Sequence, residues 1–315
     1  MHFRAIKNII YVGNFLSKGV RVKMSDVLTL IESKMNGMSK RQKSIAKYIL
    51  GNYDKASFMT AAKLSKETGV SESTVVRFAA ELGFDGYQKL QRALKEVTRA
   101  KLNALQRIDM ASDRIDSNNI LDTVLQLDIE KIHSTMEEID PDQFEKAADA
   151  LVKARRIYIL GLRSSATLAR FLFFYINPVF DDVKLINASS GSEMFEQILK
   201  VNEQDVVFGI SFPRYSTRTV QALEYAKSKG ATVIGLTDTG ASPIKKVADY
   251  CLTACSDMVS FVDTLVAPLS VLNALLVSIG MKKRDDVYRS YGQLEEIWDK
   301  YGVYNVNDLT DDNNG

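Results

Sequence analysis

Apolar residues along the first third of the chain recur every three or four positions, the spacing of helices that bury one face. Val27, Leu28, Leu30 and Ile31 open the pattern and predict a helix over 25–36 that stops near Asn36-Gly37. Ser39 is placed to cap a second helix, with Ile45, Ile49 and Leu50 as its apolar face and Gly51-Asn52 as its end signal. Thr60 or a neighbour caps a third, with Ala62, Leu64 and Val70 on its buried side. Gly69-Val70-Ser71 makes a tight turn, and Ser71 caps a fourth helix. Glu72, Ser73 and Thr74 occupy the first turn of that helix, and Val75, Phe78, Ala79 and Leu82 fall at core spacing. A further helix starts at Tyr87 and stays basic to about Ile108.

The pattern lapses over residues 109–119 (DMASDRIDSNN), which are polar and aperiodic and read as a linker. Helical patterns return over about 120–138 and 141–153. Short apolar or β-branched runs then alternate with helical stretches: Arg156–Leu160, Val183–Asn187, Val206–Ile210, Thr232–Leu236 and Tyr250–Ala254. Repeated β–α alternation predicts a parallel sheet with helices on both faces. The expected architecture is an all-α helix-turn-helix domain (24–108) joined by the linker to an α/β domain (120–300) with a five-stranded parallel sheet flanked by helices. Residues 1–23 read as an extension ahead of a start at Met24, and 301–315 as a frayed tail.

Charge follows the same division. Residues 1–23 carry five basic residues and no acid, and 24–107 carry 15 basic and 8 acidic. With a net charge of +2 overall, the rest of the chain is net −10. A basic domain on an acidic body fits a DNA-binding unit joined to one that does not bind DNA; two ordinary solvated surfaces give the same count. The content, 46% hydrophobic and 25% charged, is that of a soluble globular protein. No run approaches the ~18 apolar residues of a membrane span. The N-terminal apolar run Ile9–Leu16 is short, is broken by Gly13-Asn14 and lacks a small-x-small cleavage site, so secretion is not expected. Cys251 and Cys255 lie in an apolar stretch, far in sequence from His2 and His133, and read as core residues rather than zinc ligands. No cofactor is expected, and low cysteine use suits a reducing cytoplasm.

Thr60 to Phe84 has the layout of a helix-turn-helix, in which the first helix braces and the second lies in the major groove. Ser71, Ser73 and Thr74 stand at the start of the second helix, where hydroxyls and the helix dipole meet phosphates or base edges. Arg77, one turn on, has the planar fork that suits guanine. Lys63, Lys66, Lys89 and Arg92 are candidate phosphate contacts. Each has a structural alternative: Ser71 as a cap alone, Arg77 paired with Glu81 at i,i+4, and the lysines as solvated surface. Tyr87 and Phe84 are expected to pack the domain.

The segment MSKRQKSIAKYIL…AAKLSKETGVSESTVVRFAAELGFDGYQKLQ resembles the N-terminal domain of RpiR-type transcriptional regulators. IYILGLRSS, DVVFGIS, GATVIGLTD and SPIKKVADYCL are similar to the SIS, or sugar isomerase, domain that those regulators carry. The two resemblances cover about residues 24–280. They imply a bacterial cytoplasmic regulator that binds operator DNA and senses a phosphorylated sugar or amino sugar.

Ligands of parallel α/β sheets bind where strands end and helices begin. Three loops meet that condition. Gly161-Leu162-Arg163-Ser164-Ser165 follows the first strand, with Ser164 and Ser165 as hydroxyl donors to a phosphate or sugar. Ala188–Glu193 follows the second and offers Ser189, Ser190 and Glu193, although a helix cap accounts for one serine equally well. Ser211–Thr219 follows the third. The usual SIS loop here resembles S-x-S-G-x-T. This chain keeps Ser211 and has Ser216 where the threonine falls, while Pro213 and Arg214 replace the serine and glycine between them. Arg214 either pairs with the anion directly or stands in solvent as part of a turn.

Isomerisation of a sugar phosphate needs a general base. His133 precedes the sheet and Glu193 has no evident partner, so a ligand-responsive regulator is favoured over a sugar-phosphate isomerase or lyase, and over an architectural protein with an inert second domain. A homodimer or homotetramer would hold two DNA-binding domains at a fixed spacing. The helices of 120–153 and a C-terminal helix with Leu294, Ile297 and Trp298 are candidate contacts, or simply cover the sheet.

Overall fold

The helices of the N-terminal unit follow the predicted pattern closely. The computed structural model describes residues 26–101, 108, 115, 118–188, 190–240, 242–259 and 261–304. The extension 1–23, most of the linker 109–119 and the tail from 305 lie outside the described residues. The chain divides into two units, Met1–Thr98 and Arg99–Gly315.

In the first unit, α1 (Asp26–Lys34) runs into a 3-10 turn (Met35–Gly37) and is followed by α2 (Lys40–Gly51). Ser39 starts α2 with a capping box: its hydroxyl accepts from the Gln42 N–H, and the Gln42 side chain accepts from the Ser39 N–H at 2.9 Å. A one-turn helix, α3 (Tyr53–Ala56), has no counterpart in the periodicity. Next come α4 (Ala61–Thr68), capped by Thr60, then α5 (Glu72–Glu81) and α6 (Tyr87–Lys101). Gly69 ends α4 with φ 68°, a left-handed conformation that glycine adopts without a Cβ penalty. Ile45, Ile49, Leu64, Val75, Phe78, Leu82, Leu90 and Leu94 form one core. Ala62, expected in that core, is exposed, and Ala61 packs against the core instead. Tyr87 is buried and donates to the Met59 carbonyl at 2.9 Å; burial pushes its phenol up to about 12.

The second unit opens with α7 (Ile120–Glu138) and α8 (Pro141–Lys153), as the sequence predicts. The strands are β1 (Arg156–Gly161), β2 (Val183–Ile186), β3 (Asp205–Ile210), β4 (Thr232–Thr237) and β5 (Tyr250–Thr253). Between them run α9 (Ser165–Ile176), α10 (Gly191–Ile198), α11 (Thr217–Ser228) and α12 (Pro243–Val247). The sheet is parallel throughout, in the order β2-β1-β3-β4-β5. A small antiparallel hairpin follows, β6 (Met258–Val259) and β7 (Val262–Asp263), and then α13 (Val266–Lys282) and α14 (Arg284–Tyr301). The five-stranded sheet matches the expected fold class; the hairpin is additional.

Alternate residues of each strand serve two cores. Ile157, Ile159, Phe208 and Ile234 pack with α8, α9 and α13. Tyr158, Leu160, Val207 and Val233 pack with α10, α11 and α12 on the other face. Cys251 is buried, which pushes its thiol up to about 11, and burial raises the Cys255 thiol as well. Cys251 is thus a small core residue, as expected, whereas Cys255 is only part-buried. Among the described residues no single helix is long and apolar enough to cross a membrane. The most apolar one, α13, buries Val271, Leu272, Leu275 and Ile279 against the sheet.

The side of α7 turned toward the rest of the unit is mixed: Val124, Leu127 and Ile132 are half-buried beside polar groups, of which Asp128 accepts from Thr264 at 2.6 Å, Lys131 pairs with Asp257 at 2.5 Å, and the Thr135 hydroxyl accepts from the Cys255 N–H at 2.9 Å. Leu121, Leu125, Ile129 and Met136 are exposed.

At the end of β1 a side chain on Gly161 would lie 2.4 Å from the Ser165 carbonyl oxygen, so only glycine lets the first turn of α9 sit against the strand. Gly161→Ala should therefore lower stability by about 1–3 kcal/mol through overpacking, read as a lower urea midpoint with an unchanged m-value.

Candidate functional site

In the first unit the candidate is the outer side of α5. Val75, Phe78, Ala79 and Leu82 bury its inner side, which leaves Ser73, Val76, Arg77 and Ala80 exposed. Ser71 occupies the N-cap position, but its hydroxyl does not cap the helix. It lies 3.0 Å from the Ser73 hydroxyl and 2.9 Å from that of Thr74, an array of three hydroxyls at a helix N-terminus. Arg77 is held back along the helix by its Nε, which donates to the Ser73 carbonyl at 3.2 Å. Lys63 and Lys66 on α4, and Lys89 and Arg92 on α6, are exposed.

Thr74 corrects an expectation. It is only 5% exposed, because it lies on the flank of α5 that faces the domain core. Its hydroxyl meets Ser71, so it orients that side chain and does not itself reach outward. Val76 was missed. Only the i,i+3,i+4 positions identify core residues, and Val76, at 45% exposure, is the member of the Val75-Val76 pair that falls off that spacing.

In the second unit the candidate is the carboxyl edge of the sheet. β1 has β2 on one side and β3 on the other, so the order of connection reverses between β1 and β3, the position at which such sheets bind ligands. The loop after β1 places Arg163 at φ 57° and exposes Ser164, whose hydroxyl makes no cap bond to α9. Ser165 is buried at 4%. After β2, Ser190 is the N-cap of α10 and accepts from the Glu193 N–H at 3.2 Å, so the structural explanation holds for it. Ser189 lies outside the described residues. Glu193 is half-buried in the first turn of α10.

The loop after β3 is tightly tied. Ser211 is buried, and its hydroxyl accepts from the Ser216 N–H at 3.0 Å. Ser216 caps α11 by accepting from the Thr219 N–H at 3.2 Å. Tyr215 donates to Asp238, at the end of β4, at 2.8 Å, and Thr237 donates to the Ser211 carbonyl at 2.8 Å. Arg214 is exposed at the head of this loop. The expected hydroxyl cradle is therefore largely occupied in holding the loop. Ser164 and Arg214 are exposed, as are Arg163, Ser192, Thr217 and Arg218 of the same loops and first turns.

The sequence singled out the loop but not Thr219 within it. The Thr219 hydroxyl is fully buried in the first turn of α11 and has no hydrogen-bond partner. At the opposite edge a polar cleft of about 390 Å³ lies among Lys146, Asp149, Lys153, Asp205 and Tyr250. Two of its carboxylates are paired, Asp205 with Arg155 and Asp149 with Lys282.

A helix-turn-helix domain model of the rpiR family matches residues 25–101, and a SIS domain model matches 150–278. An HTH-type transcriptional regulator of Haemophilus influenzae is 31% identical over 235 residues, 73% of this chain and 80% of that protein. The chain belongs to the RpiR family. The sugar isomerase domain of an RpiR transcription factor from Sphaerobacter thermophilus is 25% identical, covers 56% of this chain and 99% of its own, and superposes with a TM-score of 0.54. The Vibrio vulnificus NanR protein, solved in complex with ManNAc-6P, shares the fold at 21% identity, with a TM-score of 0.54 and coverage of 86% of this chain and 98% of its own. This RpiR-family chain is thus a transcriptional regulator with a SIS domain.

A buried hydroxyl without a partner stabilises nothing. Thr219→Val, which keeps the shape and removes the oxygen, should leave the melting temperature of the ligand-free regulator unchanged or raise it by the equivalent of up to about 1 kcal/mol. A fall, measured by differential scanning calorimetry, would contradict this account.

Proposed function

We propose that this RpiR-family protein binds a double-stranded operator through α5 and adjusts that binding when its SIS domain holds a phosphorylated sugar or amino sugar. The outer side of α5 carries the reading: an exposed arginine and serine beyond an array of hydroxyls, on a helix whose other side is core. Ser71 and Ser73 meet phosphate, with Thr74 holding Ser71 in place. Arg77 contacts a guanine, and Lys63, Lys66 and Lys89 contact phosphates. Operator binding of this kind places the protein in the cytoplasm.

For the effector, NanR supplies the parallel, since it was solved with ManNAc-6P on the same fold. The phosphate meets the first turn of α11 with Arg214 as its charged partner, and Ser164 contacts the sugar. Ser165, Ser190, Ser211 and Ser216 shape the loops that carry those groups. Among the described residues the one histidine, His133, stands exposed on α7, ahead of the sheet, which favours binding over turnover.

Response to the effector is a matter of linkage. The effector can shift operator affinity only by its differential affinity for two arrangements of the assembly. The assembly is a homodimer or homotetramer, supported by the exposed apolar stripe Leu121, Leu125, Ile129 and Met136 on α7.

Arg77→Ala should weaken binding to an operator selected from random duplexes by about 10- to 100-fold, by fluorescence anisotropy, with an unchanged circular dichroism spectrum. In a thermal-shift panel of hexose, pentose and amino-sugar phosphates, ManNAc-6P included, at least one compound should raise the melting temperature. Arg214→Ala should abolish that shift, and conversion of any compound would overturn the assignment as a regulator. The double substitution Leu125→Asp, Ile129→Asp should yield monomer in light scattering at micromolar concentration.

A further inference from the structure

The outer side of α5 contains one residue that polar chemistry does not explain. Val76 is 45% exposed on a helix whose core positions are already filled by Val75, Phe78, Ala79 and Leu82. It adds nothing to that core. A β-branched residue is also a poorer helix former than the alanine or charged residues that usually fill exposed positions. Its neighbours are informative. With 3.6 residues per turn, Ser73 and Ala80 lie on the strip between Val76 and Arg77. The middle of the exposed surface is therefore small, which permits close approach to a groove floor. One flank carries the forked cation of Arg77, with Glu81 one turn after it, and the other carries the compact apolar Val76, with Glu72 one turn before it.

In the major groove, guanine offers two acceptors to an arginine, and thymine alone presents a methyl group. A side chain that ends in two methyl groups and no polar atom, as Val76 does, matches the second feature and no other base edge. We propose that Val76 reads a thymine of the operator through its 5-methyl group, on a base pair beside the one contacted by Arg77. Val76 then sets sequence preference, whereas the hydroxyl array at the start of α5 sets position. The inference rests on the reading that α5 enters the major groove.

The test uses the full-length protein and an operator selected in vitro from random duplexes. Each thymine is replaced singly by deoxyuridine, which removes the methyl group and keeps the pairing. One thymine in each half-site should show a loss of about three- to tenfold for the wild-type protein. Val76→Ala, a helix-compatible change at an exposed position, should bind the thymine and deoxyuridine duplexes equally there, and should still respond to loss of the guanine read by Arg77. If no thymine shows a methyl effect that disappears in Val76→Ala, the role of Val76 is overturned while operator recognition by α5 stands. If no sequence is enriched at all, both are overturned.

Discussion

Five parallel strands can be joined only by returning the chain through a crossover each time, and that constraint organises the larger unit. Every strand ends at the same edge, and β1 to β4 each hand the chain to a helix there. Four loops, and the first turns of α9, α10, α11 and α12, are thereby brought to one edge. Each first turn has N–H groups that no helical carbonyl can satisfy. Serine is the repeated answer: Ser190, Ser216 and Ser242 each accept from the turn that they start. The serine richness of this edge is accordingly in large part helix initiation. The hydroxyls left facing outward are fewer than the sequence suggests, and Arg214 and Arg218 are the exposed charges between Ser211 and Thr219.

Much of this was legible locally. The starts and ends of α2, α7 and α8, and the five strands to within a residue or so, follow from caps, breakers and the change of period from about 3.6 to 2. The reading failed where a side chain's fate is decided by a distant partner. Thr74 looked like a surface residue beside Ser73, but the packing of the whole first unit sets the angle of α5 and turns it inward. The hydroxyl of Ser211 looked available until the loop closed back on it through the N–H of Ser216. The buried oxygen of Thr219 has no sequence signature, because a threonine in a helical first turn is ordinary.

α7 is the fullest case. Its sequence has apolar residues at helical spacing, and local pattern assigns such a stripe to the inside. The structure leaves much of that stripe exposed and turns inward a mixed side, on which Val124 and Leu127 stand beside Thr135, Lys131 and Asp128, whose complements Cys255, Asp257 and Thr264 come more than a hundred positions later. No window of sequence contains both halves of those pairs. Leu121, Leu125, Ile129 and Met136 are thereby left exposed.

Apolar faces tolerate small displacements, since one methyl group packs nearly as well as the next. Paired charges and aimed hydrogen bonds do not. Sliding α7 by a single residue would separate Lys131 from Asp257 and leave both largely desolvated, at a cost of several kcal/mol. The helix that leads into the SIS domain is in effect keyed to the segment after β5. It can take up one position or leave it, but it cannot drift between neighbouring ones.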